Sequence, residues 1–85
     1  MRDLLDVTVF EGVYPPSEDT YLLIDAITIE PNDFVLDVGC GAGLATIMAS
    51  SIAGRVVSVD ISIDAVNNTK ENLRRNSLGS NVSLI

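Results

Sequence analysis

The chain predicts an α/β fold, the first half of a doubly wound parallel sheet, and three observations carry that prediction. Phe34-Val35-Leu36-Asp37-Val38 is a nearly unbroken apolar run that feeds Gly39-Cys40-Gly41-Ala42-Gly43. A second apolar run, Val56-Val57-Ser58-Val59, ends in Asp60. A segment of helical periodicity follows each run, and strands alternating with helices are the signature of parallel crossover units. Right-handed crossovers then place the strands in the order third, second, first.

Taken in order, the residues before Val13 hold short apolar pieces broken by acids, and Tyr14-Pro15-Pro16 forces an extended or turning backbone, so no regular element is expected before Pro15. Ser17, Glu18 and Asp19 open a helix: a hydroxyl to cap the first amides and two acids against the positive end of the dipole. It runs to about Ile27, with Leu22, Leu23, Ala26 and Ile27 as its apolar stripe, and Glu30-Pro31-Asn32-Asp33 is the turn after it. Phe34 to Val38 reads as a strand buried on both faces, since its apolar residues do not alternate with polar ones. Leu44 to Ile52 reads as a helix ended by Gly54, turning Ala45, Met48, Ala49 and Ile52 to the sheet. Val56 to Val59 is the second strand.

Ser62 caps a helix from Ile63 to about Asn76, with Asp64 in its first turn and Arg74 and Arg75 in its last. Ala65, Val66, Thr69 and Leu73 form its inner face. Lys70, Glu71, Arg74 and Arg75 mark a solvated side, with an i,i+4 pair from Glu71 to Arg75, rather than a binding patch. Val82 to Ile85 opens a third strand.

At 85 residues the chain is short for a domain. A chain of this size removes only roughly 60–65% of its unfolded surface from water, so a marginal core is expected. The net charge of −7 argues against nucleic acid as a direct partner of this segment. No apolar run reaches bilayer length, and Met1-Arg2-Asp3-Leu4-Leu5-Asp6 carries acids where a signal peptide needs an apolar stretch, so no membrane and a cytoplasmic location are expected. Cys40 is the only cysteine and histidine is absent, which excludes an internal disulfide and a Cys/His metal site. Cys40 also lacks a histidine base, and between two glycines it reads as a small filler rather than a nucleophile.

The glycines at 39, 41 and 43 let the backbone turn tightly at the strand end and approach a ligand closely. Asp60, at the end of the next strand, can accept from two ribose hydroxyls, with capping of the next helix as its structural alternative. Asp37 sets a carboxylate beside the turn, within reach of a cationic ligand group, or else it is a buried strand residue with its own donors. The spacing departs from G-x-G-x-x-G, because Leu44 stands where that pattern wants its third glycine, and no Gly-Lys-Ser or Gly-Lys-Thr is present for a P-loop. An acid two residues before the first glycine would repel a pyrophosphate. It suits the ammonium group of S-adenosylmethionine.

Val35 to Gly43 (V-L-D-V-G-C-G-A-G) and Val56 to Asp60 (V-V-S-V-D) resemble the class I S-adenosylmethionine-dependent methyltransferases, a Rossmann-like superfamily. Val13-Tyr14-Pro15-Pro16-Ser17-Glu18-Asp19-Thr20-Tyr21-Leu22-Leu23, together with Asp64 to Asn72, is similar to the HemK-type glutamine methyltransferases, in the archaeal and eukaryotic branch that modifies a class-1 translation release factor. The resemblance implies S-adenosylmethionine as cofactor. Thr20, Asp37 and Gly39 would lie along its methionine part, Gly41 would stand in the turn, Asp60 would hold the ribose, and Tyr14 and Glu18 would line the mouth. It also implies a release factor as protein substrate and a small zinc-binding activator as partner. Read without the family, Ser17 to Thr20 is a helix cap.

The family's Asn-Pro-Pro-Tyr motif does not occur in these residues, nor does an acid after the third strand to address adenine. No catalytic residue is therefore assigned, and the 85 residues alone are expected to be inactive. The expected function is methyl transfer to a protein glutamine. An acceptor in RNA, DNA or a small molecule is the near alternative; a non-catalytic cofactor-binding or partner subunit and a nicotinamide dehydrogenase fragment are further ones. Without a fourth strand beside it, Phe34–Val38 should present an open apolar edge suited to self-association.

Overall fold

The computed structural model describes residues 5–85. Its elements alternate as expected: α1 (Glu18–Ala26), β1 (Phe34–Val38), α2 (Leu44–Ser50), β2 (Arg55–Val59), α3 (Ile63–Arg75) and β3 (Val82–Leu84). Their ends differ from the expected ones by a residue or two, most at α2, which stops before Ile52. The described residues before Pro15, 5–14, form no helix or strand.

The strands are parallel and ordered β1-β2-β3, the expected order read from the other end. Register pairs Val35 with Val56, Asp37 with Ser58 and Val56 with Val82. Paired residues of parallel neighbours share a face, so Val35, Asp37, Val56, Ser58, Val82 and Leu84 point one way and Phe34, Leu36, Val38, Val57 and Val59 the other. Two crossovers of the same hand, each stepping the same way along the sheet, put α2 and α3 on one side. That side holds the core, where Ala49, Ala53 and Val56 pack with Ile29, Val35 and Val82.

Three expectations about burial are corrected by this one-sided layering. β1 is not buried on both faces: Phe34, Leu36 and Val38 are 70%, 61% and 72% exposed, because no helix of the described residues covers their side. α1 buries no residue, and Leu22, Leu23 and Ile27 of its stripe are exposed, since the helix packs chiefly against α2. α2 buries Leu44, Thr46, Ile47, Ala49 and Ser50 rather than the single face of Ala45, Met48, Ala49 and Ile52, because it is enclosed by the sheet and α3 together.

Residues 6–10 form an extended strap that α3 holds through three asparagines. The amides of Asp6, Thr8 and Phe10 donate to the Oδ1 atoms of Asn76, Asn72 and Asn68 at 2.9, 2.8 and 2.8 Å. The three Nδ2 groups donate back to the carbonyls of Asp6, Thr8 and Thr8 at 2.9, 2.8 and 2.9 Å. The spacing explains the match: four residues of helix rise about 6 Å and two residues of extended chain about 6.6 Å. Asn68 and Asn72 are therefore fully buried without loss of hydrogen bonding. The strap leads into Val13, which packs with Ala42, Ala65 and Phe10 and so sets residues 14–16 over the glycine turn.

Candidate cofactor site

At the carboxyl ends of β1 and β2 the chain closes around a cavity of about 410 Å³. Its floor is the glycine turn. Gly39, Gly41 and Gly43 take φ values of 77°, 55° and 96°, a region that side chains disfavour, so the alternation of glycines is a backbone requirement. Gly43 has a second reason: a Cβ there would stand 2.8 Å from the Thr69 side chain. The turn is anchored to β2 by the amides of Gly39 and Cys40, both donating to the Val59 carbonyl at 2.8 and 3.2 Å.

α3 fixes the carbonyls of the turn. Thr69 Oγ1 donates to Gly41 O at 2.9 Å and Asn72 Nδ2 to Ala42 O at 2.7 Å. Sequence reasoning assigned Thr69 to the inner face and missed Asn72, which looked like one more polar helix residue; its signal was the i,i+4 series Asn68, Asn72 and Asn76. Cys40 is buried against Thr69, and burial pushes its thiol up from the ordinary value. A protonated, enclosed thiol suits the filler role better than that of a nucleophile.

Asp60 Oδ2 accepts from the Gly41 amide at 3.1 Å and Oδ1 from the Ser62 amide at 2.9 Å. These amides, Ser62 first, hold the carboxyl below its usual range. The structural alternative for Asp60 is thus realised in part, since Ser62 caps α3 through the Ala65 amide. Each carboxylate oxygen retains a further lone pair, and Asp60 lines the cavity. Asp37, also on the wall, accepts from Thr46 Oγ1 through Oδ2 at 2.7 Å. Thr20 Oγ1 accepts from the Ser17 amide at 3.1 Å, so the same threonine closes the helix start and faces the cavity.

Thr20, Asp37, Gly39, Gly41 and Asp60, five residues from four segments, are thereby brought to one cavity, with Tyr14 at its rim. Glu18 is not among the lining residues, because it points outward from the first turn of α1; Asp19, one position on, lines the wall instead. Three carboxylates, Asp19, Asp37 and Asp60, thus line a cavity whose remaining wall carries no charged residue. Such a site favours a ligand with cationic and hydroxyl groups and disfavours a pyrophosphate. Among the described residues, no cluster of acids, cysteine and histidine could hold a metal ion. No helix there is long and apolar enough to cross a membrane.

The family model for ribosomal protein L11 methyltransferase (PrmA) matches residues 19–85. The chain belongs to this S-adenosylmethionine-dependent methyltransferase family. Among its relatives is a cobalt-precorrin-6B C(15)-methyltransferase (decarboxylating) of Methanobrevibacter smithii, 47% identical over 57 residues, covering 67% of this chain and 30% of the relative. A protein of Methanocaldococcus jannaschii whose name gives protein N5-glutamine methylation is 40% identical over 67 residues, covering 78% of this chain and 34% of the relative. Of solved structures, precorrin 8W decarboxylase of Methanobacterium thermoautotrophicum superposes with a TM-score of 0.85 at 32% identity, covering 93% of this chain and 44% of that one. The chain thus spans about a third of the length of these curated methyltransferases. Membership agrees with the class I methyltransferase resemblance and the Rossmann-like fold.

Proposed function

We propose that these residues form the S-adenosylmethionine-holding half of a methyltransferase that acts on a protein glutamine amide. The observation that carries the cofactor part is the acidic, glycine-floored cavity: Asp60 beside the turn for the ribose diol, Asp37 for the α-ammonium group, and Thr20 near the methionine part. Bound there, S-adenosylmethionine supplies an electrophilic methyl group. The residues present bind and orient the cofactor, and the gain is positional: the methyl is held for in-line approach by the acceptor.

The acceptor assignment rests on Val13 to Leu23 and Asp64 to Asn72, and on the M. jannaschii relative whose name gives N5-glutamine methylation. On this reading the acceptor is a class-1 release factor and a small zinc-binding protein is the activating partner. A second reading has specific support as well: the L11 family model matches residues 19–85 and a precorrin methyltransferase name belongs to a relative matched over 57 residues, so a different protein or a small-molecule acceptor is the alternative.

Titration calorimetry with S-adenosylhomocysteine is the test of the cofactor part. Binding by the wild type, loss of at least tenfold in Asp60→Ala and no binding of NADH are expected; NADH binding without S-adenosylhomocysteine binding would reverse the reading. The acceptor part is tested in the coding sequence that follows. Asn-Pro-Pro-Tyr is expected there, and its absence from the locus would remove glutamine methylation.

A further inference from the structure

Behind Asp37 lies a polar chain that the cofactor reading does not use. Thr46 of α2 and Ser58 of β2 are both fully buried where the helix packs on the sheet. Thr46 Oγ1 lies 2.7 Å from Asp37 Oδ2 and 2.7 Å from Ser58 Oγ. Ser58 is also the register partner of Asp37, so all three side chains meet on the covered face of the sheet.

The direction of these bonds follows from proton counting. A hydroxyl has one proton, and an ionised carboxylate can only accept. Thr46 therefore gives its proton to Asp37, and Ser58 must give its own to Thr46. Two donors in series point at one carboxylate oxygen. Hydrogen bonds so aligned reinforce one another, most strongly away from water. A buried alanine or valine would fill the same space with no polar group to satisfy, so the chain of hydroxyls calls for another explanation than packing.

We propose that Thr46, backed by Ser58, is a positioning residue: it ties down Oδ2 of Asp37 so that Oδ1 is held toward the cavity for the cationic amino-acid tail of the ligand. This rests on the cofactor reading above and extends it to residues that touch no ligand. The consequence is selectivity. A ligand with the α-ammonium group gains from a fixed Asp37, and one without it gains nothing. 5′-Methylthioadenosine provides the comparison, since it keeps the adenosine and the sulfur and lacks the amino-acid tail.

The experiment measures both ligands against wild type, Thr46→Val, Thr46→Ser and Ser58→Ala by calorimetry. Thr46→Val should weaken S-adenosylhomocysteine by about tenfold, the worth of one hydrogen bond to a charged group, and leave 5′-methylthioadenosine within about twofold. Thr46→Ser should restore the ratio, and Ser58→Ala should shift it the same way by about two- to threefold. Retained 5′-methylthioadenosine binding is also the proof that a variant is folded. Equal loss of both ligands, or loss of neither, in Thr46→Val and Ser58→Ala overturns the proposal. A wild type that binds 5′-methylthioadenosine but not S-adenosylhomocysteine overturns the cofactor reading itself.

Discussion

Asp60 shows how one side chain can serve the fold and the site together. Its two oxygens each take a backbone amide, one from the glycine turn and one from the start of α3, so the carboxylate joins two loops before any ligand arrives. Those amides favour the charged form and lower its folded pKa. A depressed carboxylate contributes stability that is present above its unfolded pKa, about 4, and disappears as pH falls through the lower folded value. Urea midpoints of Asp60→Asn should therefore fall less steeply than those of the wild type below about pH 4, with the two curves parallel near neutrality. Matching curves throughout would mean that the amides do not favour the ionised group. Glu71, which the Arg74 guanidinium holds down at about 2, titrates in the same acid range and is common to both proteins.

At the scale of elements, α3 does more than cover the sheet. One edge of it carries Ala65, Thr69 and Leu73 inward, and the adjacent edge carries Asn68, Asn72 and Asn76 to the strap. Asn72 is the junction, since its one amide group serves Thr8 twice and Ala42 once. Asn72→Ala would strand the Thr8 amide and the Ala42 carbonyl and leave the Thr8 carbonyl to Asn68 alone. A cost of about 2–4 kcal/mol is expected in urea unfolding, against less than about 0.5 kcal/mol for Asn67→Ala on the exposed side. The strand and helix order was legible because hydrophobic runs, cap residues and glycines are local signals, and Ser62, Asp64 and Arg74 marked the bounds of α3 to within a residue. The asparagines were not, because a helix interior normally spares this residue and nothing local says that an extended segment some sixty residues earlier lies against it. Asp37, Gly39, Gly41 and Asp60 were legible for the opposite reason, since glycine alternation and acids at strand ends have few other uses, whereas Thr20 came from the family resemblance alone. Asp19 and Thr46 were hidden, since a first-turn acid and a helical threonine are both ordinary on other grounds.

At the scale of the molecule, burial is one-sided. Helices α2 and α3 take one face of the sheet, and Phe34, Leu36 and Val38 of β1, an edge strand among the described residues, leave the other open. We propose that a second copy of this chain meets β1 there, the negative charge of −7 restraining the association at low salt. Sedimentation should show mass rising with concentration and with ionic strength, and Leu36→Lys should abolish the rise. A monomer at every concentration would exclude that contact. The two-faced burial expected of β1 failed here for a topological reason: apolar composition reports that both faces can be covered, while two crossovers stepping the same way along the sheet cover only one.

The asparagine clasp also sets an order of events. Thr8 stands 64 residues before Asn72, and the carbonyls of Gly41 and Ala42 wait for donors 28 and 30 residues further along. In a chain growing from its amino terminus, β1 and the glycines are complete long before the residues that pin them, and local elements form far faster than such distant closures. The floor of the cavity therefore acquires its shape only after α3 has emerged and docked, and the strap at residues 6–10, made well before α3, is fastened only then.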